Sequence, residues 1–271
     1  MDVFSRFQLM EQYAAASYCA ENNNSPGTQL SCHVGNCPRV DAADTTTVLE
    51  FEKYSTPGTD ATGFVAVDRT NHLIVVAFRG TASLLGWIID FRFNRVPTTI
   101  CDGCGAHQGF WDSWLSVRDA ISNTVRDAVT ENPGFSVVCV GHSLGGAIAS
   151  LAAADLRNAG YNVTLYSFGG PRFADAALSD YISNQSGGNY RITHTNDPVP
   201  RVPPSWTGVV HIRPEYYITT PNFFPVNPNN IKICSGSLDR ECNAGWLWLD
   251  AISHGWYLDN IGLCFPIIDP S

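Results

Sequence analysis

Charge is scarce in this chain: only 15% of its 271 residues are Asp, Glu, Lys or Arg, while 44% are hydrophobic. Neither a disordered segment nor a solvated charged repeat has that composition, and no internal repeat or low-complexity tract interrupts it. Basic residues are the scarcer sign, 16 against 25 acidic, for a formal net charge of -9. They form no cluster, so the concentrated Lys and Arg that phosphate contacts require are missing, and a nucleic-acid partner is excluded. No apolar run reaches the roughly 20 residues of a membrane span. The first residues also lack the apolar core of a signal peptide, so the expectation is a mature secreted form without a transmembrane segment. A chain this long buries about 70% or more of its unfolded surface. No linker divides it, and one domain over 1–271, in a monomer, is expected.

Cysteine is not scarce. Nine cysteines are many for an intracellular enzyme, and Cys32/Cys37 and Cys101/Cys104 are close enough in sequence for short disulfide loops. Cys19 could tie to Cys264, and Cys234 to Cys242, leaving Cys139 unpaired within an apolar run where a thiol packs as a small apolar side chain. A zinc site at Cys101-x-x-Cys104 would need two further clustered ligands, which the scattered Cys and His do not supply. Three glycosylation acceptors, at Asn23, Asn162 and Asn184, suit the same extracellular setting.

Apolar spacing predicts an amphipathic helix in the first 20 residues, then sheet at 48–51, 63–68 and 73–78, its early part antiparallel. A helical stripe at 113–130 precedes a β-branched run at 135–140, and an Ala-rich helix follows at 144–156. Strands at 163–168 and 190–195, separated by a helix near 174–183, continue the alternation. Alternating strands and helices predict a mostly parallel central sheet.

Between the apolar run and the Ala-rich helix stands Gly141-His142-Ser143-Leu144-Gly145. A strand turning sharply into a helix strains the apex residue and exposes its side chain, and glycines on either side relieve the crowding. This G-x-S-x-G pattern in a strand–turn–helix context marks Ser143 as a nucleophile. A serine hydroxyl needs a general base, and a histidine base needs a carboxylate to fix its tautomer. In hydrolases with this elbow the order along the chain is Ser, acid, His. That order excludes His33, His72, His107, His142 and His194. Asp197 ends a predicted strand, at the carboxyl edge where active groups gather in open α/β sheets, whereas Asp155, Asp175 and Asp180 fall on or beside helices. Of the two remaining histidines, His211 lies amid Val209, Val210 and Ile212, as in an alternating strand. His254 precedes Gly255 near Cys264 and is preferred as the base. The oxyanion needs the backbone N–H of Leu144 and a second donor from a loop after a strand, for which Phe78-Arg79-Gly80-Thr81 offers Thr81. Trp206, Phe223, Phe224, Trp246 and Trp248 could line an acyl groove or fill core; core is the default for each taken singly, and they stay unassigned.

The segments Tyr13 to Cys19, Val76 to Thr81, Gly141 to Gly146, Arg191 to Asp197 and the stretch around His254 together resemble the filamentous-fungal class 3 lipases of the Rhizomucor and Thermomyces type, with fungal feruloyl esterases as close relatives. The likeness runs over nearly the whole chain. It implies the α/β-hydrolase fold, a mostly parallel sheet with helices on both faces and a short helical lid. It also implies the triad Ser143, Asp197 and His254, with Thr81 and Leu144 at the oxyanion hole. The disulfides it implies are Cys19–Cys264, Cys32–Cys37 and Cys101–Cys104; Cys234–Cys242 would be an addition the family pattern does not match.

The lid falls at 83–91, where Leu84, Leu85, Trp87, Ile88, Ile89 and Phe91 would make an unusually apolar surface. Such a segment covers a site in water and turns outward on lipid. The expected activity is therefore hydrolysis of acylglycerol esters at a lipid–water interface through an acyl-enzyme, with no cofactor or metal. A feruloyl or other soluble-ester esterase is the alternative. A non-catalytic lipid- or carbohydrate-binding protein on the same scaffold is the alternative from another class.

Overall fold

A computed structural model describes residues 1–23, 25–54, 60–81 and 94–264. The turn expected at Pro57-Gly58 and the lid residues Leu84, Leu85, Trp87, Ile88, Ile89 and Phe91 lie outside the described residues.

Ten strands are assigned among these residues: β1 (Thr45–Tyr54), β2 (Asp60–Asp68), β3 (Leu73–Phe78), β4 (Arg95–Pro97), β5 (Gly105–His107), β6 (Ser136–His142), β7 (Val163–Phe168), β8 (Asn189–His194), β9 (Glu215–Ile218) and β10 (Ile231–Cys234). Eight of them form one sheet in the order β1-β2-β3-β6-β7-β8-β9-β10, and β4 pairs with β5 separately. From β3 through β9 the neighbours run parallel, and both edges end in antiparallel pairs. The α-helices are α1 (Val3–Ala16), α2 (Pro38–Asp41), α3 (Gln108–Glu131), α4 (Leu144–Asn158), α5 (Ala176–Asn184) and α6 (Ile252–Gly255).

The central strands are apolar at successive positions rather than alternate ones because both sheet faces are covered. Val76, Phe78, Cys139 and Leu165 pack with Trp114 and Ile121 of α3 and with the Ala-rich face of α4. Val75, Ala77, Val138, Val140 and Phe168 point the other way, onto Phe7, Met10 and Tyr13 of α1 and onto Tyr257 and Ile261. The first helix lies on this face of the sheet, and from Leu9 to Ala16 every residue is buried. Glu11 is buried with them, and desolvation, reinforced by Asp259, pushes its carboxyl up to about 8.

Disulfides join Cys19 to Cys264, Cys32 to Cys37, Cys101 to Cys104 and Cys234 to Cys242, and Cys139 is free and buried. The first of them brings the residues after α1 against the C-terminal segment. Core, the default for each of the five late aromatics taken singly, does not hold for four of them. Trp206, Phe223, Phe224 and Trp248 are exposed, and Trp246 is half-buried.

Candidate active site

Strand β6 runs into α4 through Ser143, whose φ of 58° and ψ of -131° are outside the regions an L-residue ordinarily takes. Such a conformation costs about 1–3 kcal/mol and persists where the surroundings enforce it. Here the Ser143 N–H donates to the Phe168 carbonyl at 2.9 Å, and the Ser143 carbonyl accepts from Gly146 N–H at 2.9 Å. A Cβ on Gly141 would overlap the Gly145 carbonyl, and one on Gly145 would overlap the Phe78 carbonyl. The turn therefore closes against the end of β3 only with glycine at both places. The strain holds Ser143 at the parallel strands' carboxyl edge.

Asp197 follows β8 and is fully buried, a state a carboxylate tolerates only when its oxygens are bonded. Val199 N–H donates to Oδ1 at 2.9 Å and the Tyr257 hydroxyl to Oδ2 at 2.6 Å. His254 Nδ1, on α6, lies 3.0 Å from Oδ1 and 2.9 Å from Oδ2. A carboxylate only accepts, so Nδ1 is the protonated nitrogen and the lone pair of the neutral ring is on Nε2. Among the described residues, neither His254 Nε2 nor Ser143 Oγ has a hydrogen-bond partner, although both atoms are buried. Both atoms are left open while the Asp197 oxygens are bonded.

His142, between the elbow glycine and the serine, links two parts of this site. Its Nε2 lies 2.8 Å from the His254 carbonyl and its Nδ1 2.7 Å from the Tyr18 hydroxyl. A carbonyl only accepts, so Nε2 carries the proton and Tyr18 donates to Nδ1. The Tyr18 oxygen accepts in turn from Gly80 N–H at 3.1 Å. Burial, with His254 adding to it, holds the His142 ring well below the usual histidine range, so it stays neutral. The 79–81 loop packs directly on the elbow: a Cβ on Gly80 would come within 2.9 Å of Ser143 Cβ. Thr81 follows it, half-buried. Leu144 is the first residue of α4, in the turn whose backbone N–H groups have no partner within a helix.

Beneath the Asp197 loop lies a buried ionic cluster. Arg191 Nη2 pairs with Glu215 Oε2 at 2.9 Å, and Glu215 Oε1 accepts from the Thr193 hydroxyl and from Asn243 N–H. The Asn243 amide donates onward to the Thr195 and Asp197 carbonyls, at 3.1 and 2.9 Å. Asn243 follows Cys242, so the Cys234–Cys242 bond anchors the loop that props the aspartate.

The other candidates have different duties. His211 is buried but not in a strand: Val210 makes an isolated bridge, and His211 Nε2 meets the Pro200 carbonyl. His194 is wedged between the Thr220 and Ser253 carbonyls. Asp155 accepts from Trp114, Asp175 caps α5, and Asp180 pairs with Arg213. The cysteines beside Glu21 and His33, and those beside Asp41, are oxidised in disulfides and offer no thiolate to a metal.

Residues 75–206 match the family model for Lipase (class 3). The secreted mono- and diacylglycerol lipase A of Penicillium camembertii is 45% identical over 257 residues, 93% of this chain and 83% of that protein. The chain belongs to the class 3 lipase family. The crystal structure of the mono- and diacylglycerol lipase from Aspergillus oryzae superposes with a TM-score of 0.93 at 44% identity, over 97% of this chain and 99% of that one. A solved triacylglycerol lipase whose catalytic centre is a serine protease triad aligns with a TM-score of 0.83 at 27% identity, over 96% of each chain. This protein is a secreted carboxylic ester hydrolase of the lipase type with the α/β-hydrolase fold.

Sequence reasoning passed over four residues of this lipase's site: Tyr18, His142, Tyr257 and Asn243. Tyr18 and Tyr257 stand inside the segments that carried the resemblance. His142 was set aside because chain order tests only for a base. For Asn243 the signal was its place next to a cysteine.

Proposed function

We propose that Ser143, His254 and Asp197 are the triad of this lipase, and that its preferred substrates are the mono- and diacylglycerols. The observation that carries the first part is His254 held through Nδ1 on a fully bonded Asp197, with its Nε2 and the Ser143 Oγ of the strained elbow both buried and open. Ser143 Oγ attacks the ester carbonyl while His254 Nε2 takes its proton, and Asp197 balances the imidazolium. The tetrahedral oxyanion is held by the N–H of Leu144 and by Thr81, through its N–H and hydroxyl. Collapse expels the glyceride alcohol, protonated by His254, and leaves an acyl-enzyme. Water, deprotonated by the same nitrogen, then releases the fatty acid and restores the serine.

Support for partial glycerides comes from relatives named for that activity at 44–45% identity. The fold as one domain is supported by the single eight-stranded sheet on which both cores rest. We read 83–91 as a lid from its apolar sequence and its place after the oxyanion loop, and the enzyme as a monomer. The test is a panel of emulsified tri-, di- and monoacylglycerols with phosphatidylcholine and methyl ferulate, each measured below and above interface formation. The expected result is fastest release from di- and monoacylglycerols with a rise in rate at the interface. Fastest cleavage of dissolved methyl ferulate contradicts the reading.

A further inference from the structure

We propose that the loop before His254 is a lipid-docking collar, which inserts into uncharged acylglycerol surfaces and seats the active site on them; this rests on the lipase reading above. Residues 246–249 read Trp-Leu-Trp-Leu, and Leu247 is 93% and Trp248 64% exposed, with Leu249 and Ile252 exposed beside them. Phe223 and Phe224, also exposed, come to the same place from the loop after β9. Asn222 donates to Asp250 at 2.9 Å, Asn222 accepts from Ser253 at 3.0 Å, and the Phe223 ring lies 5.0 Å from that of Trp256. Isolated exposed apolar side chains need no explanation, but a clustered set in a charge-poor soluble protein marks a contact surface.

The loop is held out rather than collapsed. Trp246 Nε1 donates to the Tyr217 hydroxyl at 2.6 Å, and its carbonyl accepts from Arg201 at 2.6 Å. At the other end Asp250 N–H donates to the Asn196 carbonyl at 3.2 Å, and the Asp250 carboxylate accepts from Ile252 N–H at 2.9 Å. Both anchors are polar and face the body, so Leu247, Trp248 and Leu249 span between fixed points with their side chains largely exposed, the Trp248 ring edge-on to Trp246 at 5.6 Å. Tryptophan is the side chain that settles at the boundary between water and lipid.

The position and the charge select the occupant. The collar leads directly into α6, which carries His254, so whatever it enters is brought to the mouth of the site. Neither 214–231 nor 241–271 contains a Lys or Arg, while Glu241, Asp250, Asp259 and Asp269 do lie in the second stretch. Anionic lipid is recognised by juxtaposed basic residues; of the described basic residues flanking the collar, Arg201 is bonded to the Trp246 carbonyl and Lys232 to Glu241, which leaves Arg240 against Asp239, Asp250 and Asp259. An uncharged surface of partial or full glycerides takes the apolar side chains without that need.

The experiment compares the parent with Leu247→Lys/Leu249→Lys and with the single variant Trp248→Ser. Adsorption to diolein emulsions and to phosphatidylglycerol vesicles is measured beside hydrolysis of a dissolved short-chain p-nitrophenyl ester. The parent is expected to adsorb to diolein and to leave phosphatidylglycerol vesicles largely unbound. The double variant should lose on the order of a hundredfold in diolein adsorption, and Trp248→Ser about tenfold. The double variant should also gain binding to the anionic vesicles, and both should retain the soluble-ester rate. Undiminished diolein adsorption, or a parent preference for anionic vesicles, overturns the proposal. Loss of soluble-ester hydrolysis in both variants overturns it too, since the loop would then be positioning His254. A parent that cleaves the soluble ester but no acylglycerol instead refutes the lipase reading.

Discussion

Replacing Tyr18 with phenylalanine removes one oxygen and breaks two buried hydrogen bonds, from Gly80 N–H at 3.1 Å and to His142 Nδ1 at 2.7 Å. Each bond leaves an unpaired buried group at about 1–3 kcal/mol, so the fold should lose roughly 2–6 kcal/mol. Catalysis should lose more than stability alone explains, because Gly80 precedes Thr81, whose N–H has to meet the oxyanion. Deleting an oxyanion donor costs about 10²–10³ in kcat, and loosening one should cost roughly 10- to 100-fold. The assay is kcat and KM on a dissolved short-chain ester well below the variant's Tm, with Tm measured alongside. A fall in kcat with KM unchanged is expected, since the interaction forms only as the oxyanion develops. A lowered Tm with kcat within about twofold of the parent would refute the reasoning and leave Tyr18 a purely structural residue.

Two more predictions concern the buried charges. Glu11, raised to about 8, keeps its proton in the folded state but releases it when unfolded near 4.5, so stability falls as pH rises between those values and levels above them. Glu11→Gln should remove that slope and stabilise the protein at pH 9 by on the order of 3–5 kcal/mol, read by urea unfolding at pH 5 and 9; an unchanged slope would place the titration elsewhere. Arg191→Met strands Glu215 without its partner and should cost about 3–5 kcal/mol, lowering activity as Asn243 loosens beneath Asp197. The double variant Arg191→Met/Glu215→Leu should recover most of that stability, and a double variant no better than the single one would show that the pair's charge is not what matters.

What was legible in the sequence was what neighbouring residues decide. The elbow was readable because β-branched residues, glycines and a small-residue helix follow one another within 135–156. Chain order and the end of β8 then pointed to Asp197 and His254 without any distance being known. The Tyr18–His142–Gly80 chain was not legible, because its members are separated by 62 and 124 positions and meet only through the register of α1 on the sheet. The exposed aromatics were misjudged for a related reason. An apolar side chain is buried when the fold covers it, and the polar anchors at Trp246 and Asp250 hold Trp248 out with its ring edge-on to Trp246. Arg191 and Glu215 look like surface charges when read singly, and they are buried because β8 and β9 place them side by side.

Ser143 is the decisive residue, and the decisive assay is fatty-acid release from emulsified diolein by Ser143→Ala, with an unchanged Tm as the check on folding. The rate should fall by roughly 10⁴-fold or more, since the nucleophile and its base act as one unit. A folded Ser143→Ala variant that still releases fatty acid at a rate comparable to the parent would contradict the assignment of Ser143 as nucleophile.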